Sequence, residues 1–309
     1  MLATRPNAIP ASPVDTADGS VGATRRIPWH AALKLGYQFR AGRTVPSRRE
    51  HYGPLRVLKG YRQSGTDCWE QVVVHPPGGI ASCDELRIDI DADQQSQVLL
   101  TTPGATKWYR ADVGGEPSRG LGGLQTVSVR VASGASAEWM PLENIFYDGA
   151  DARLDTEYLL APDAGLICAE VYCLGRPAAQ APFEQGRLRV RTRVMRDGRP
   201  LYIERINLAG GDRAFQSQAA LGGHACFGSL VAAPATKCDL SELVSQVRQA
   251  LSDEVAQAQV AVTALPEVLI VRWRGPNAQA GWRALHCAWR TLRLPVLGRA
   301  AQAPRIWAC

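Results

Sequence analysis

Apolar and polar residues alternate with period two along much of the chain, and this pattern limits the fold more than any other feature. Leu86, Ile88 and Ile90 alternate with Arg87, Asp89 and Asp91. Val127, Val129 and Val131 alternate with Ser128, Arg130 and Ala132, and Leu188, Val190 and Val194 alternate with Arg187, Arg189, Arg191 and Arg193. Each set marks a strand with one face on a core and the other on water. Val72, Val73 and Val74 precede a Pro76-Pro77-Gly78-Gly79 breaker, and Asp197-Gly198 is a hairpin signal before Leu201 to Leu208. A unit of strand, turn and strand recurs. Its turns fall at Asp93–Ser96, Ser133–Ser136, Pro162–Gly165 and Asp197–Gly198. The spacing of roughly thirty to forty residues predicts a stacked, solenoid-like body. The expected fold class is mainly β: a stacked β-sheet body over about residues 27–235, with two α-helices in the C-terminal portion at about 239–295.

The helices announce themselves by caps. Asp239 with Glu242 three residues on reads as a capping box. Leu240, Leu243, Val244, Val247, Leu251 and Val255 then make an amphipathic stripe. Leu265 to Trp273 reads as a strand. Gly275-Pro276-Asn277 opens a second helix carrying Trp282, Leu285, Trp289 and Leu292, with Pro295 at its end. Residues 1–26 are rich in Ala, Pro, Asp and Ser without periodicity and read as a flexible tail. No linker divides the rest, so residues 27–309 are expected to form one domain.

Composition narrows the setting. Hydrophobic residues are 46% of 309, ample for a large core, and the net charge is +6. The cysteines are Cys68, Cys83, Cys168, Cys173, Cys226, Cys238, Cys287 and Cys309, and none forms a C-x-x-C pair. The start has no apolar stretch of the kind a secretory signal needs, and no apolar run matches a membrane span. The expectation is a cytoplasmic protein with mostly free thiols, Cys168 and Cys173 being core residues.

Several chemistries lack their motifs. There is no G-x-x-x-x-G-K-[ST] loop and no G-x-G-x-x-G opening a helix, so nucleoside triphosphate chemistry belongs to a partner. The Gly114-Gly115 and Gly122-Gly123 pairs read as a flexible loop. No G-x-S-x-G elbow is present. His75 and Cys83 are close enough in sequence to suggest a nucleophile and base, although His75 ending a strand before a rigid turn is the plainer reading. Arg25 to Arg62 holds ten Lys or Arg against Glu50 alone. That segment and the arginines 187–193 could follow phosphates, but no aromatics are interleaved for stacking. A solvated sheet face or a surface for an acidic protein explains them better than nucleic acid.

Two carboxylates stand out. Glu170 is the lone charge within Leu166 to Leu174, and Glu204 shares a strand face with Tyr202, Ile206 and Leu208. Both strands read as buried on two sides. A buried carboxylate costs several kcal/mol (order of magnitude) unless paired, hydrated or bound to a cation. Arg205 or Arg153 could neutralise them. Alternatively they line an internal polar path for a hard or borderline cation, where carboxylate and water bind Ni2+ weakly enough to release it.

A set of ordered segments carries a family resemblance. They are His51-Tyr52-Gly53-Pro54-Leu55-Arg56-Val57, His75-Pro76-Pro77-Gly78-Gly79-Ile80, Thr102 to Arg110, Glu138-Trp139-Met140-Pro141-Leu142-Glu143, Cys173-Leu174-Gly175-Arg176-Pro177, Glu204-Arg205 and Pro304-Arg305-Ile306-Trp307. In this order they resemble the UreD (UreD/UreH) family of urease accessory proteins over roughly residues 30–309. The resemblance implies a mostly β, non-catalytic maturation factor with no permanently bound cofactor. It implies partners too: UreF, the GTPase UreG through UreF, and the urease apoprotein subunits, with neither nucleic acid nor membrane. It further implies an internal tunnel for Ni2+ in transit, lined at the positions matching Asp84, Thr106, Glu170 and Glu204. Where the family continues with Gly-Gly-Asp, this chain has Ser82-Cys83-Asp84, which removes backbone freedom and puts a sulfur at Cys83. The alternative implied role is purely structural, holding urease open without conducting nickel.

Overall fold

In the computed structural model, residues 29–81, 83–110, 112–113, 116–117, 122–254 and 259–308 are described. The expected tail at 1–26, the Gly114-Gly115 pair and Val255 lie outside them. The main strands are β1 (His30–Arg40), β2 (Arg43–Tyr52), β3 (Trp69–Val74), β4 (Glu85–Ala92), β5 (Gln97–Thr101), β6 (Thr106–Trp108), β7 (Gly123–Val131), β8 (Ser136–Met140) and β9 (Asn144–Phe146). They continue as β10 (Asp151–Leu160), β11 (Gly165–Leu174), β12 (Arg187–Arg196), β13 (Arg199–Ala209) and β14 (Cys226–Ala233). Then come α1 (Leu240–Glu254), β15 (Gln259–Leu265), β16 (Val268–Gly275) and α2 (Ala278–Leu297).

The strands form two large sheets. The first runs β13-β12-β10-β7-β4-β1-β2, and the path of the second runs β15-β16-β14-β11-β8-β5-β3. The chain crosses from the first sheet to the second at three of the expected turns, β4 to β5, β7 to β8 and β10 to β11. Each crossing returns to lie parallel to the one before. The corners stack through backbone hydrogen bonds: Ala132 N–H donates to Ala92 O (2.9 Å), Ala161 to Val131 (2.9 Å) and Gly165 to Ala135 (3.0 Å). This is the solenoid-like body that the turn spacing predicts.

The fourth turn differs. Asp197 and Gly198 both have positive φ (49° and 72°) and fold β12 back on β13 within one sheet, so the coil ends there. A two-residue turn of this hand matches strand twist and makes a hairpin, whereas a corner needs a longer turn. β13 is therefore an edge strand.

Further elements depart from expectation. Leu265 to Trp273 is not one strand, because Pro266 and Glu267 turn it into the hairpin of β15 and β16. Helix α2 continues past Pro295 to Leu297 and is capped by Gly298 at φ 69°. A proline in the last turn loses one hydrogen bond but does not break a helix about to end. Gly122 and Gly123 are packed rather than loose. A Cβ on Gly123 would come within 2.7 Å of Ile80, and one on Gly122 within 2.5 Å of the Asp151 carbonyl. At the start of α1, Asp239 accepts from the N–H groups of Ser241 (2.9 Å) and Glu242 (3.3 Å), as the capping signal predicts.

The result has three layers. One core fills the space between the sheets, and a second lies between the second sheet and the helices. β11 belongs to both and is buried at all ten positions. Its sequence is accordingly a continuous apolar run, as expected for a strand covered on two faces. β13 is not covered in this way. Ile203 and Arg205 face outward while Tyr202 and Leu208 are buried. The sequence reading of both strands as buried on two faces therefore holds for β11 alone.

Candidate functional site

Alternation along β11 sends Cys168, Glu170 and Tyr172 toward the first sheet, into the core between the layers. There Glu170, 7% exposed, meets no arginine. Its Oε2 accepts from the Tyr172 hydroxyl, and its Oε1 accepts from Trp139 Nε1 at a long 3.4 Å. Burial raises its carboxyl above the ordinary range. The two hydrogen bonds oppose that shift, and the nearby Glu204 charge adds to it. The same burial raises the Tyr172 and Tyr158 hydroxyls well above normal and pushes the Cys168 thiol up to about 12. These groups make a buried, proton-rich cluster around a single acid.

Glu204 is the neighbouring acid. β11 and β14 place Ser229 directly opposite Glu170, and the Ser229 hydroxyl donates to Glu204 Oε2 at 3.4 Å. On its other side Glu204 pairs with Arg272 of β16 at 3.1 Å, and Arg272 also donates to the Tyr202 hydroxyl at 3.2 Å. Of the arginines expected to neutralise these acids, Arg153 instead pairs with Asp155 at 2.7 Å, and Arg205 points out of the opposite face of β13. Arg272 is mostly exposed, so its pairing with Glu204 is water-screened, in contrast to a dry ion pair.

Two cavities reach this cluster. One, of about 160 Å³, is lined by His75, Thr102, Thr106, Gln125, Asn144 and Trp139 among others. The second, a cleft of about 690 Å³, is lined by Tyr172, Glu204, Phe227, Gly228, Ser229 and Arg272 among others. Glu170 is hydrogen-bonded to one lining residue of each, Trp139 for the first and Tyr172 for the second. Gly228 keeps the cleft wall thin, since a Cβ there would stand 2.6 Å from the Glu170 carbonyl oxygen. Thr106 lines the first cavity and Glu204 the second, and Trp139, Tyr172 and Ser229, whose part the sequence did not show, are the residues that flank Glu170 between them.

Asp84 is placed differently. It is 1% exposed, and its oxygens accept from Trp29 N–H (3.0 Å) and Ala81 N–H (2.8 Å). It lines neither cavity, although its charge acts on His75. Cys83 beside it has φ 63°, a left-handed conformation that costs a cysteine more than a glycine. The nitrogens of His75 make no hydrogen bond, so His75 and Cys83 are not joined as a nucleophile and base. Among the described residues, no three His, Cys, Asp or Glu side chains converge to hold a metal.

The arginine stripe of β12 faces acids on the parallel neighbour β10. Arg189 pairs with Asp151 (2.5 Å), Arg191 with Asp155 (3.4 Å) and Arg193 with Glu157 (2.8 Å). The stripe is the compensated outer face of a sheet, which removes the main feature that could have tracked phosphates.

A third acid, missed as a functional group by the sequence reading, lies on the helix side of the second sheet. Glu138 is fully buried and binds Arg293 (2.9 Å), Arg299 (2.6 Å) and Trp289 Nε1 (2.6 Å). Burial alone would raise its carboxyl, but the two arginines overcome that and hold it below the usual range. Arg293 also donates to Gln63 Oε1 (2.7 Å) and to the Ala300 carbonyl (2.7 Å). This network ties α2 and the following segment to the β body and leaves Glu138 no free valence for a ligand.

Among known proteins, the model of the UreD urease accessory protein family matches residues 30–308. A urease accessory protein UreD of Azoarcus sp. (strain BH72) is 40% identical over 280 residues, covering 90% of this chain and 94% of that protein. Those of Nitrosococcus oceani and Chromohalobacter salexigens are 36% and 39% identical. They cover 96% and 92% of this chain, and 96% and 90% of their own lengths. No helix among the described residues is long and apolar enough to cross a membrane.

Proposed function

The chain belongs to the UreD family of urease accessory proteins, and from that premise we propose that it is a non-catalytic scaffold that passes Ni2+ toward the urease active site. In this reading it joins UreF, and the GTPase UreG through UreF, to the urease apoprotein in the cytoplasm. No cofactor stays bound, and nickel is cargo. The observation that carries the reading is Glu170: a buried acid without a cation partner, hydrogen-bonded between residues that line two cavities. A carboxyl in such a place costs stability without improving packing, which marks it as a group kept for use.

The residues divide the work. Glu204, at the wet end, attracts the cation, and exchange with Arg272 keeps the attraction modest. Glu170, held by Tyr172 and Trp139, offers the next carboxyl to the ion. Thr106 offers a hydroxyl to its hydration shell. Oxygen donors bind Ni2+ more weakly than an imidazole or thiolate cage, so the ion moves on. Passage requires the Trp139 and Tyr172 side chains to yield, since their hydrogen bonds to Glu170 lie between the cavities. Asp84 stands outside this path, its carboxylate fixing the turn at Ala81 and the approach of Trp29. Cys83 has no assigned part in it.

Glu204→Gln tests the reading. The complex with UreF, UreG and urease subunits should still form, while nickel recovered in urease falls. Unchanged nickel loading would favour the structural alternative, in which the protein only holds urease open. The closed contacts around Glu170 are what that alternative has in its favour.

A further inference from the structure

Charge in the first sheet runs in stripes that answer one another. β12 carries five arginines, and β10 beside it carries Asp151, Asp155 and Glu157 against Arg153. Their side chains pair across the two strands, Arg189 with Asp151, Arg191 with Asp155 and Arg193 with Glu157. β7 brings Arg130 to Asp91 of β4 at 3.5 Å, and β4 is acidic again, with Glu85, Asp89 and Asp91 against Arg87. Beyond β4 the sign turns positive. β1 and β2 hold Lys34, Arg40, Arg43, Arg48 and Arg49 against Glu50 alone.

The sheet stops on that positive stripe. β2 is its edge strand and pairs with β1 on one side only. From Pro46 to Tyr52 every residue is exposed, so neither face of this stretch is covered. Arg48 occupies Glu50 through two hydrogen bonds (2.9 and 2.8 Å). Among the described residues, Arg40, Arg43 and Arg49 pair with no acid. Arg40 and Arg43 stand directly opposite each other beside the Ala41-Gly42 turn, a like-charge pair that destabilises the ribbon carrying it. An open strand edge presents backbone donors and acceptors on which another strand can pair. Pro46 has no N–H to offer, which leaves Ser47 to Tyr52 as the usable edge.

We propose that β2 is a docking strand for an acidic, extended segment of a partner protein, which adds to the first sheet and continues its alternation of charge. The β2 backbone supplies the hydrogen bonds of strand addition, and Arg43 and Arg49 select carboxylates on the incoming strand. A second copy of β2 fits badly, because it would lay a positive strand on a positive strand. The start of this chain is not acidic either: residues 1–28 hold Asp15 and Asp18 against Arg5, Arg25 and Arg26. Nucleic acid would meet the charge but cannot extend a β ladder. β2 and β13 lie at opposite ends of the first sheet, so this surface is separate from the cleft at Glu204 and does not depend on the transit reading.

The test uses the purified full chain and a fluorescent peptide of the length of β2, 10 residues, alternating Glu and Thr. Fluorescence anisotropy should show binding, and raising the salt should weaken it. Hydrogen exchange should slow at alternate amides between Ser47 and Tyr52, which strand addition requires and loose ion pairing does not. The same peptide with Lys in place of Glu should not bind. Arg43→Glu combined with Arg49→Glu should weaken binding of the acidic peptide about tenfold or more, since like charges then face each other. An acidic peptide that does not bind, protection confined to another part of the chain, or equal binding by the charge-reversed variant would overturn the proposal. So would a duplex DNA that displaces the bound peptide and leaves the β2 amides unprotected, which would make the stripe a phosphate surface. Self-association of the chain alone with protection of the same amides would give the edge to a second copy and overturn it too. If the variant does not fold, the exchange pattern and salt dependence of the parent still decide.

Discussion

Replacing Glu170 by Gln should make the protein more stable and less useful. The side chain is fully enclosed, with hydrogen bonds from Tyr172 and Trp139 and no arginine. Its folded-state pKa lies above the unfolded value because burial penalises the charge. The sign follows from that. A raised carboxyl stabilises the fold fully below the unfolded pKa, and the benefit is lost as pH climbs through the folded pKa. At pH 8 the native state must either hold a proton against solvent or carry a poorly compensated charge. Glutamine keeps the shape and escapes titration, but its single carbonyl oxygen can replace only one of the two carboxylate oxygens that accept from Tyr172 and Trp139. Its amide NH2 group then needs a partner, which offsets part of the gain. We expect about 1–2 kcal/mol of net stabilisation at pH 8, the scale on which partly compensated buried polar groups are measured. At about 3 °C per kcal/mol this is a rise in Tm of about 3–6 °C. The gain should shrink toward zero near pH 4. Thermal unfolding at several pH values reads this directly, and nickel recovered in urease should fall in parallel. A stability difference that does not change between pH 4 and 8 would show that Glu170 is not desolvated, and the reasoning would fail with it.

Two further perturbations separate the path from the scaffold. Glu138→Ala should cost about 3–5 kcal/mol, or prevent folding, because it strands Arg293 and Arg299 in the core; chemical denaturation measures it, and a loss under 1 kcal/mol would mean that water reaches the network. Ser229→Phe should fill the space between Glu170 and Glu204 with little change in Tm but reduced nickel in urease, and full activation by a folded variant would place the path elsewhere.

Much of the fold was legible because its signals are local. The turns at Asp93, Ser133 and Pro162 are corners of a coil whose flanking strands alternate cleanly, and Asp239 caps its own helix. Misreadings arose where distance matters. Nothing near Pro295 says that only a final turn remains, and Pro266-Glu267 is a weak signal inside an apolar run. The acids show the same divide. Glu170 and Glu138 look alike in sequence, each a lone charge in an apolar strand. One faces the first sheet and two tyrosines; the other faces α2 and two arginines from far along the chain. Their difference is set by which side of the second sheet each occupies, and by partners that no local window contains. Glu204 lies near Glu170 by way of Ser229, but β13 is an edge strand open on one face, so the burial on two faces expected for it does not hold. His75 is near Cys83 in sequence, but its ring nitrogens make no hydrogen bond to it, because sequence proximity across a Pro-Pro turn does not set side-chain direction.

The Arg293–Glu138–Arg299 clasp has a consequence for how the chain is made. The two arginines follow the acid by 155 and 161 residues in the chain, and until they dock the acid in β8 faces the helix side without its counterions. The interior is electrically complete only once α2 and the segment after it have docked. Premature stops upstream of Arg293 therefore leave a charged defect at the centre of a nearly finished body, a product for quality control to remove before it meets a partner.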